Sequence, residues 1–233
     1  MKHALLSLAT LFFLHFSATA QQPAGAPAST HHAEASRSVP SAEKLWTDLA
    51  EGNKRFVVGK PKQRELRKRL AAGQHPNVVV LACADSRVAP ELLFDQSLGD
   101  LFVVRSAGNI ADPIGVGSIE YAVEHLGSSV LLVLGHTKCG AVTAACSKEK
   151  MPTANLQAIV DKIAPAVSRA GSSLKGDALV EAAIRENVHN SAHDVVASSE
   201  ILRHFRDEGK LTVFEAEYDL STGEVARLDN TSH

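Results

Sequence analysis

Short apolar runs alternate with longer stretches of mixed polarity along most of this chain. Four of the runs, at 78–81, 101–105, 129–135 and 211–218, have the length and aliphatic content typical of strands buried in a sheet. A shorter segment at 224–228 predicts an antiparallel edge strand beside the fourth.

Helices are expected between these strands. Ser41 can cap the first helix, Glu43 lies in its first turn, and Gly59 ends it. The later helices are expected at 62–72, 90–95, 113–126, 140–147, 153–170 and 177–207. Strands that alternate with helices predict an α/β fold, with a central, mostly parallel sheet of four strands plus an antiparallel edge strand, flanked by helices.

The composition fits one such domain, at residues 41–233. The chain has 233 residues, of which 45% are hydrophobic and 21% are charged, an ordinary globular composition. The formal net charge of −2 gives no indication of a nucleic-acid partner.

The first forty residues differ from the rest. Residues 1–20 have a short basic start, an apolar stretch and the small residues Ala18-Thr19-Ala20, which together predict a signal peptide. The alternative is a membrane anchor, but the apolar stretch is shorter than the roughly 20 residues that a span needs. Residues 21–40 are rich in Ala, Pro, Ser and Gln and predict a flexible linker. We therefore expect an exported protein, periplasmic or secreted, with no membrane anchor after processing.

Chemically distinctive residues begin where two of the apolar runs stop. Cys83 follows the first strand, and His136 and Cys139 follow the third. Two thiolates and an imidazole suit zinc, and three protein ligands leave the open position that is typical of catalytic rather than structural sites. The remaining cysteine, Cys146, is expected to be a small buried residue on the next helix.

Asp85 and Arg87 follow Cys83 at intervals of two residues. The Asp85 carboxylate can either reach the metal or accept a hydrogen bond from its water, and a guanidinium can hold that carboxylate with two parallel bonds. The pairing predicts a depressed pKa for Asp85, so this group would stay ionised. Since two thiolates neutralise zinc more than imidazoles would, we expect activity to rise toward alkaline pH.

Both motifs together resemble the β-class carbonic anhydrase family. The resemblance is carried by Cys83-Ala84-Asp85-Ser86-Arg87 and by Gly135-His136-Thr137-Lys138-Cys139-Gly140, and it extends over about 41–228. It implies one zinc ion per subunit, held by Cys83, His136 and Cys139, with Asp85 and Arg87 as the catalytic dyad. It also implies reversible hydration of carbon dioxide to bicarbonate and a proton by a zinc-bound hydroxide, in a homodimer or homotetramer.

The same resemblance implies further site residues. Gln74 fits the side chain that binds the substrate oxygen, and Phe102 and Tyr121 fit the aromatic wall, which in this family comes partly from the partner subunit. In some family members the aspartate moves onto zinc at low pH, and a bicarbonate binds nearby with help from a tryptophan; Val80 stands at the position of that tryptophan here. That difference favours the open form. His75, beside Gln74, is a candidate proton relay or simply a surface residue.

Two other functions remain open on sequence alone. A hydrolase of carbonyl sulfide or carbon disulfide on the same scaffold would have nearly the same site. A non-enzymic zinc-binding protein would be expected to lack the dyad or to have a fourth fixed ligand, whereas Asp85 and Arg87 are both present.

Overall fold

The computed structural model describes residues 40–60 and 70–228. The predicted signal peptide at 1–20, all but the end of the linker at 21–40, and most of the predicted helix at 62–72 lie outside the described residues.

Five strands form one sheet in the order β2-β1-β3-β4-β5. The strands are β1 (Val78–Cys83), β2 (Leu101–Ser106), β3 (Val130–His136), β4 (Thr212–Tyr218) and β5 (Val225–Arg227). The first four pair in parallel, and β5 pairs antiparallel with β4. This arrangement confirms the fold predicted from the apolar runs. Every residue of β1 and β3 is buried, as expected of central strands covered on both faces.

The described helices are α1 (Ala42–Val57), α2 (Pro90–Leu93), α3 (Pro113–Glu124), α4 (Gly140–Ser147), α5 (Ala154–Arg169), α6 (Gly176–Ala197) and α7 (Glu200–Asp207). Within residues 40–60 and 70–228, none of them is both long and apolar enough to cross a bilayer.

One helix prediction is wrong, because the helix expected at 177–207 is two helices. Ser199 leaves helical geometry, and its hydroxyl accepts a hydrogen bond from the Leu202 amide at 3.0 Å, which starts α7. The same hydroxyl donates to the Glu120 carboxylate of α3 at 2.6 Å. A serine that caps a new helix and also contacts a neighbouring helix favours the break.

Two apolar clusters cover the two faces of the sheet, and a third lies at its edge. On one face, Leu45 and Leu49 of α1 pack near Leu132 of β3. On the other, helices α3, α6 and α7 cover the odd-numbered residues of β1 and β3. The third cluster brings Cys83 and Cys139 together with apolar residues of α4, α5 and α6. The two sulfur atoms are therefore enclosed by helices at the carboxyl edge of the sheet.

The edge strand β5 is tied to the first helix. The guanidinium of Arg227 lies 4.2 Å from the Phe214 ring centre and 5.9 Å from that of Trp46, and it pairs with Glu43 at 3.2 Å. Trp46 and Phe214 are themselves in contact, with ring centres 5.7 Å apart. These contacts join α1 to the end of the sheet that contains β4 and β5.

Candidate metal centre and active site

The three predicted ligands meet at one edge of the sheet. Cys83 ends β1, His136 ends the neighbouring parallel strand β3, and Cys139 precedes α4. Carboxyl ends of parallel strands point the same way, so the two loops share one edge. The Cys83 and Cys139 sulfur atoms lie 4.0 Å apart, and one ligand atom from each of the three residues lies within 4.8 Å of the others. Lys138 adopts a left-handed φ of 55°, which tightens the turn between His136 and Cys139.

The histidine is oriented as a metal ligand. Its Nδ1 atom lies 2.9 Å from the Thr137 carbonyl oxygen, which can only accept, so Nδ1 carries the proton. Its Nε2 atom is buried and has no hydrogen-bond partner in the described part of the chain. A buried lone pair without a partner is unfavourable unless a cation binds it. Two sulfur donors and one nitrogen donor at this spacing fit zinc and leave a fourth position for solvent.

A hydrogen bond links the two thiols, whose sulfur atoms lie 4.0 Å apart. The hydrogen bond from Cys139 is the largest of the causes that lower the pKa of the Cys83 thiol to about 4; the Gly108 amide contributes to this lowering, and burial opposes it. The pKa of Cys139 is raised, first because its proton is held by the Cys83 sulfur and then because it is buried. A divalent cation would replace that proton, since thiolates rather than thiols are metal ligands.

Asp85 and Arg87 form the predicted pair beside the ligands. Nε of Arg87 donates to Oδ1 of Asp85 at 2.8 Å, and the terminal nitrogen donates to Oδ2 at 2.6 Å. The Arg87 backbone amide adds a third bond at 3.0 Å. These bonds, led by the side-chain pair, hold the pKa of Asp85 far below its ordinary value. Oδ2 of Asp85 lies 3.9 Å from Nε2 of His136, so an ionised acceptor faces the space between the ligands.

Arg105, which sequence reasoning did not single out, supports the same loop. Its Nε donates to the Cys83 carbonyl oxygen at 3.0 Å, and its terminal nitrogen donates to the Asp85 carbonyl at 2.7 Å. Arg105 lies beside Ala82 in the parallel register of β1 and β2. From the sequence, Arg105 could be placed beside the Cys83 loop only once β2 was known to be the neighbour of β1.

The predicted pocket residues do not join the cluster within one chain. Gln74 is exposed, precedes β1, and lines a surface hollow with Leu70, Leu98 and Gly99. Phe102 pairs with Val79 in β1, four residues before Cys83, which is about 13 Å of strand. Phe102 and Tyr121 do contact each other, with ring centres 6.4 Å apart. His75 is exposed beside Gln74, at the same amino end of the sheet.

Comparisons with known proteins agree with this geometry. The family model described as carbonic anhydrase matches residues 78–225. Carbonic anhydrase 2 of Mycobacterium tuberculosis (strain CDC 1551 / Oshkosh) is 38% identical over 192 residues, which cover 79% of this chain and 92% of that protein. The solved β-carbonic anhydrase CafA of Aspergillus fumigatus is similar, with a TM-score of 0.66, 26% identity and coverage of 82% and 89%. The Coccomyxa β-carbonic anhydrase, solved with acetazolamide, has a TM-score of 0.65, 27% identity and coverage of 80% and 83%.

The fold and the cysteine–histidine–cysteine site define a zinc-dependent enzyme, and the chain belongs to the carbonic anhydrase family. Within that family it is a β-class member. Its reaction is the reversible hydration of carbon dioxide to bicarbonate and a proton, and zinc is its cofactor.

Proposed function

We propose that Cys83, His136 and Cys139 are the zinc ligands in this chain and that Asp85 and Arg87 serve the catalytic step. The observation that carries this assignment is the buried Nε2 atom of His136, which has no partner among the described residues and faces two sulfur atoms. When bound, zinc supplies hydroxide near neutral pH by lowering the pKa of a water molecule.

Asp85 orients the nucleophile in this proposal. As an ionised carboxylate it can only accept a hydrogen bond, so it takes one from the attacking oxygen and leaves a lone pair of that oxygen directed at carbon. Arg87 keeps the carboxylate in place, because both Asp85 oxygens accept from its guanidinium. The same pairing supports the open form, since moving Asp85 onto the metal would break at least one of these bonds. Val80, at the position of the tryptophan described above, also supports it.

The substrate pocket requires a second subunit. Gln74, Phe102 and Tyr121 lie at the amino end of the sheet, away from the ligands of their own chain. Apolar side chains on α3 are nevertheless open to solvent, with Ile114 79% exposed and Tyr121 49% exposed. A homodimer would cover these side chains and let the partner subunit's Gln74, Phe102 and Tyr121 complete the pocket. We therefore propose a homodimer or a homotetramer built from such dimers.

The chain is proposed to act outside the cytoplasm, in the periplasm or after secretion. The support is the pattern of residues 1–20, with its basic start, apolar stretch and small residues before a linker. Sequencing the amino terminus of the exported protein tests this, and a mature protein that still begins at Met1 would contradict it.

Stopped-flow hydration of carbon dioxide by zinc-loaded protein tests the assigned roles. Cys83→Ser should lose zinc and activity together, whereas Asp85→Asn should keep zinc and lose turnover. Cys146→Ser is the matched control, because Cys146 is a half-buried cysteine outside the ligand set and should keep both. Full activity in Asp85→Asn would remove that residue from the mechanism. Sulfide release from carbonyl sulfide or carbon disulfide, measured on the same samples, tests the alternative substrates.

A further inference from the structure

The sulfur of Cys83 accepts a hydrogen bond from a backbone amide. The Gly108 N–H donates to the Cys83 sulfur at 3.2 Å, from the short helical turn Ala107–Asn109 that follows β2. Gly108 is buried and has left-handed dihedral angles, with φ at 76° and ψ at 22°. Glycine adopts this conformation without strain, but it also leaves it more readily than other residues do. Something else must therefore hold this peptide in place.

Asn187 of α6 supplies that restraint. Its side-chain nitrogen donates to the Gly108 carbonyl oxygen at 2.7 Å, across 79 residues of sequence. Asn187 is only 1% exposed, so its side chain is fixed by the core around it. Because the donor is buried and its acceptor belongs to Gly108, the bond fixes the backbone of the residue whose amide meets the Cys83 sulfur.

The packing around this contact leaves little freedom. A Cβ atom added at Gly108 would lie 2.7 Å from Ile163 of α5 and 3.3 Å from Ala141 of α4. On the side of α6, a Cβ at Gly135 would lie 2.4 Å from Val188, the residue after Asn187. The glycine before His136 therefore lets α6 approach β3 closely enough for Asn187 to reach Gly108.

We propose that Asn187 is a positioning residue for the metal centre. Asn187 directs the Gly108 amide toward the Cys83 sulfur and so sets the orientation and donor strength of that ligand. This rests on the assignment of Cys83 as a zinc ligand. An N–H···S bond withdraws charge from a thiolate, so the sulfur donates less to the cation and the cation remains a stronger Lewis acid. Partners of this kind orient ligands and typically change metal affinity or activity by about 10- to 100-fold when lost.

The test compares Asn187→Ala with Asn53→Ala in full-length protein. Asn53 is also a buried asparagine that donates to two backbone carbonyls, at Leu93 and Gly223, but it belongs to α1 on the other side of the sheet. Zinc affinity is measured by competition with a chromophoric chelator, and the sulfur-to-metal charge-transfer band is measured after cobalt substitution. Asn187→Ala should bind zinc about 10- to 100-fold more weakly, because the Cys83 sulfur is no longer held in its ligating orientation. The band should also shift to lower energy, because the Cys83 sulfur becomes more electron-rich. Asn53→Ala should change neither.

Two results would overturn the proposal. One is a folded Asn187→Ala protein with unchanged affinity and an unchanged band. The other is an equal change in Asn53→Ala, which would show a general effect of losing a buried amide. If wild-type protein binds no metal through Cys83, the ligand assignment itself fails. That failure is distinguishable from failure of the Asn187 proposal alone, in which metal-loaded protein shows the band but Asn187→Ala leaves it unchanged.

A second measurement does not depend on the variant folding. In wild-type protein loaded with ¹¹³Cd, the Gly108 amide proton should show scalar coupling to the metal through the Cys83 sulfur. Coupling at Gly108 supports the proposal, and its absence in a spectrum that shows coupling to the Cys83 β-protons contradicts it.

Discussion

Replacing Gly135 with alanine tests how closely α6 must approach the sheet. Gly135 is the penultimate residue of β3, directly before His136. The added Cβ atom would lie 2.4 Å from Cγ2 of Val188. Carbon atoms in contact are normally about 3.5–4.0 Å apart, so the helix and the strand would have to separate by about 1.1–1.6 Å.

The size of the effect follows from the rigidity of both partners. Val188 is fully buried, and a β-branched side chain in a helix has one strongly preferred rotamer, so it cannot turn aside. Overpacking of this kind costs about 1–3 kcal/mol of unfolding free energy, and we expect the upper part of that range. Val188→Ala alone removes two buried methyl groups and should cost about 2 kcal/mol. The double variant should be less destabilised than the sum by about 1–2 kcal/mol, because the new methyl group occupies the space vacated by valine.

Guanidinium unfolding of zinc-loaded protein, followed by circular dichroism at one protein concentration, measures these differences. Gly140→Ala is the control, because Gly140 also lies next to a proposed metal ligand but a Cβ there meets no described atom within 4 Å. It should be at least as stable as wild type. Wild-type stability in Gly135→Ala, or strict additivity in the double variant, would refute the argument that this glycine is required for close packing.

Three further predictions concern charge and metal. Arg87→Ala should reduce turnover by about 100-fold, because Asp85 loses its bidentate partner. The pKa of Asp85 should rise toward its ordinary value yet stay acidic, so stopped-flow rates should show a similar loss at every pH above about 6. A loss confined to low pH would contradict this. Burial raises the pKa of Glu217, whose Oε1 has no partner in the described chain. Between the unfolded-state and folded-state pKa values of this group, the folded protein binds more protons than the unfolded protein. The free energy of unfolding therefore falls as pH rises through that range. Glu217→Gln should therefore be about 1 kcal/mol more stable than wild type near pH 8 and nearly equal near pH 4 in thermal melts, and a gain of the same size at both pH values would rule this out. Removing zinc with a chelator should lower the melting temperature reversibly, because the three proposed ligands would enclose the cation only in the folded chain. A melting temperature unchanged by chelation would mean that no cation is held.

The sheet and the proposed metal ligands were accessible from sequence for the same physical reason. Central parallel strands are buried on both faces, so 78–81 and 129–135 appear as continuous apolar runs, and the chemistry begins where each run stops. Cys83 and His136 therefore mark the carboxyl edge of the sheet in the sequence itself. The long helix expected at 177–207 was wrong because apolar residues continue across the break, whereas the capping bond of Ser199 depends on local backbone geometry.

Contacts between distant segments could not be obtained in this way. Asn187 gives no local signal of its bond to Gly108, since neither residue type is unusual where it stands. The roles of Gln74, Phe102 and Tyr121 came from the family resemblance, and a single chain does not bring them to the ligands.

The contact of Arg227 with Trp46 and Phe214 has a practical consequence. The chain has one tryptophan, and that residue lies where the first helix meets the end of the sheet, on the face opposite α6. The fluorescence of this tryptophan should therefore report on whether β5 and α1 remain in contact, and it should change little when the cation binds or is removed. Cobalt absorption and indole fluorescence thus give two separate optical signals in a single unlabelled sample, one for the metal centre and one for the contact between α1 and β5.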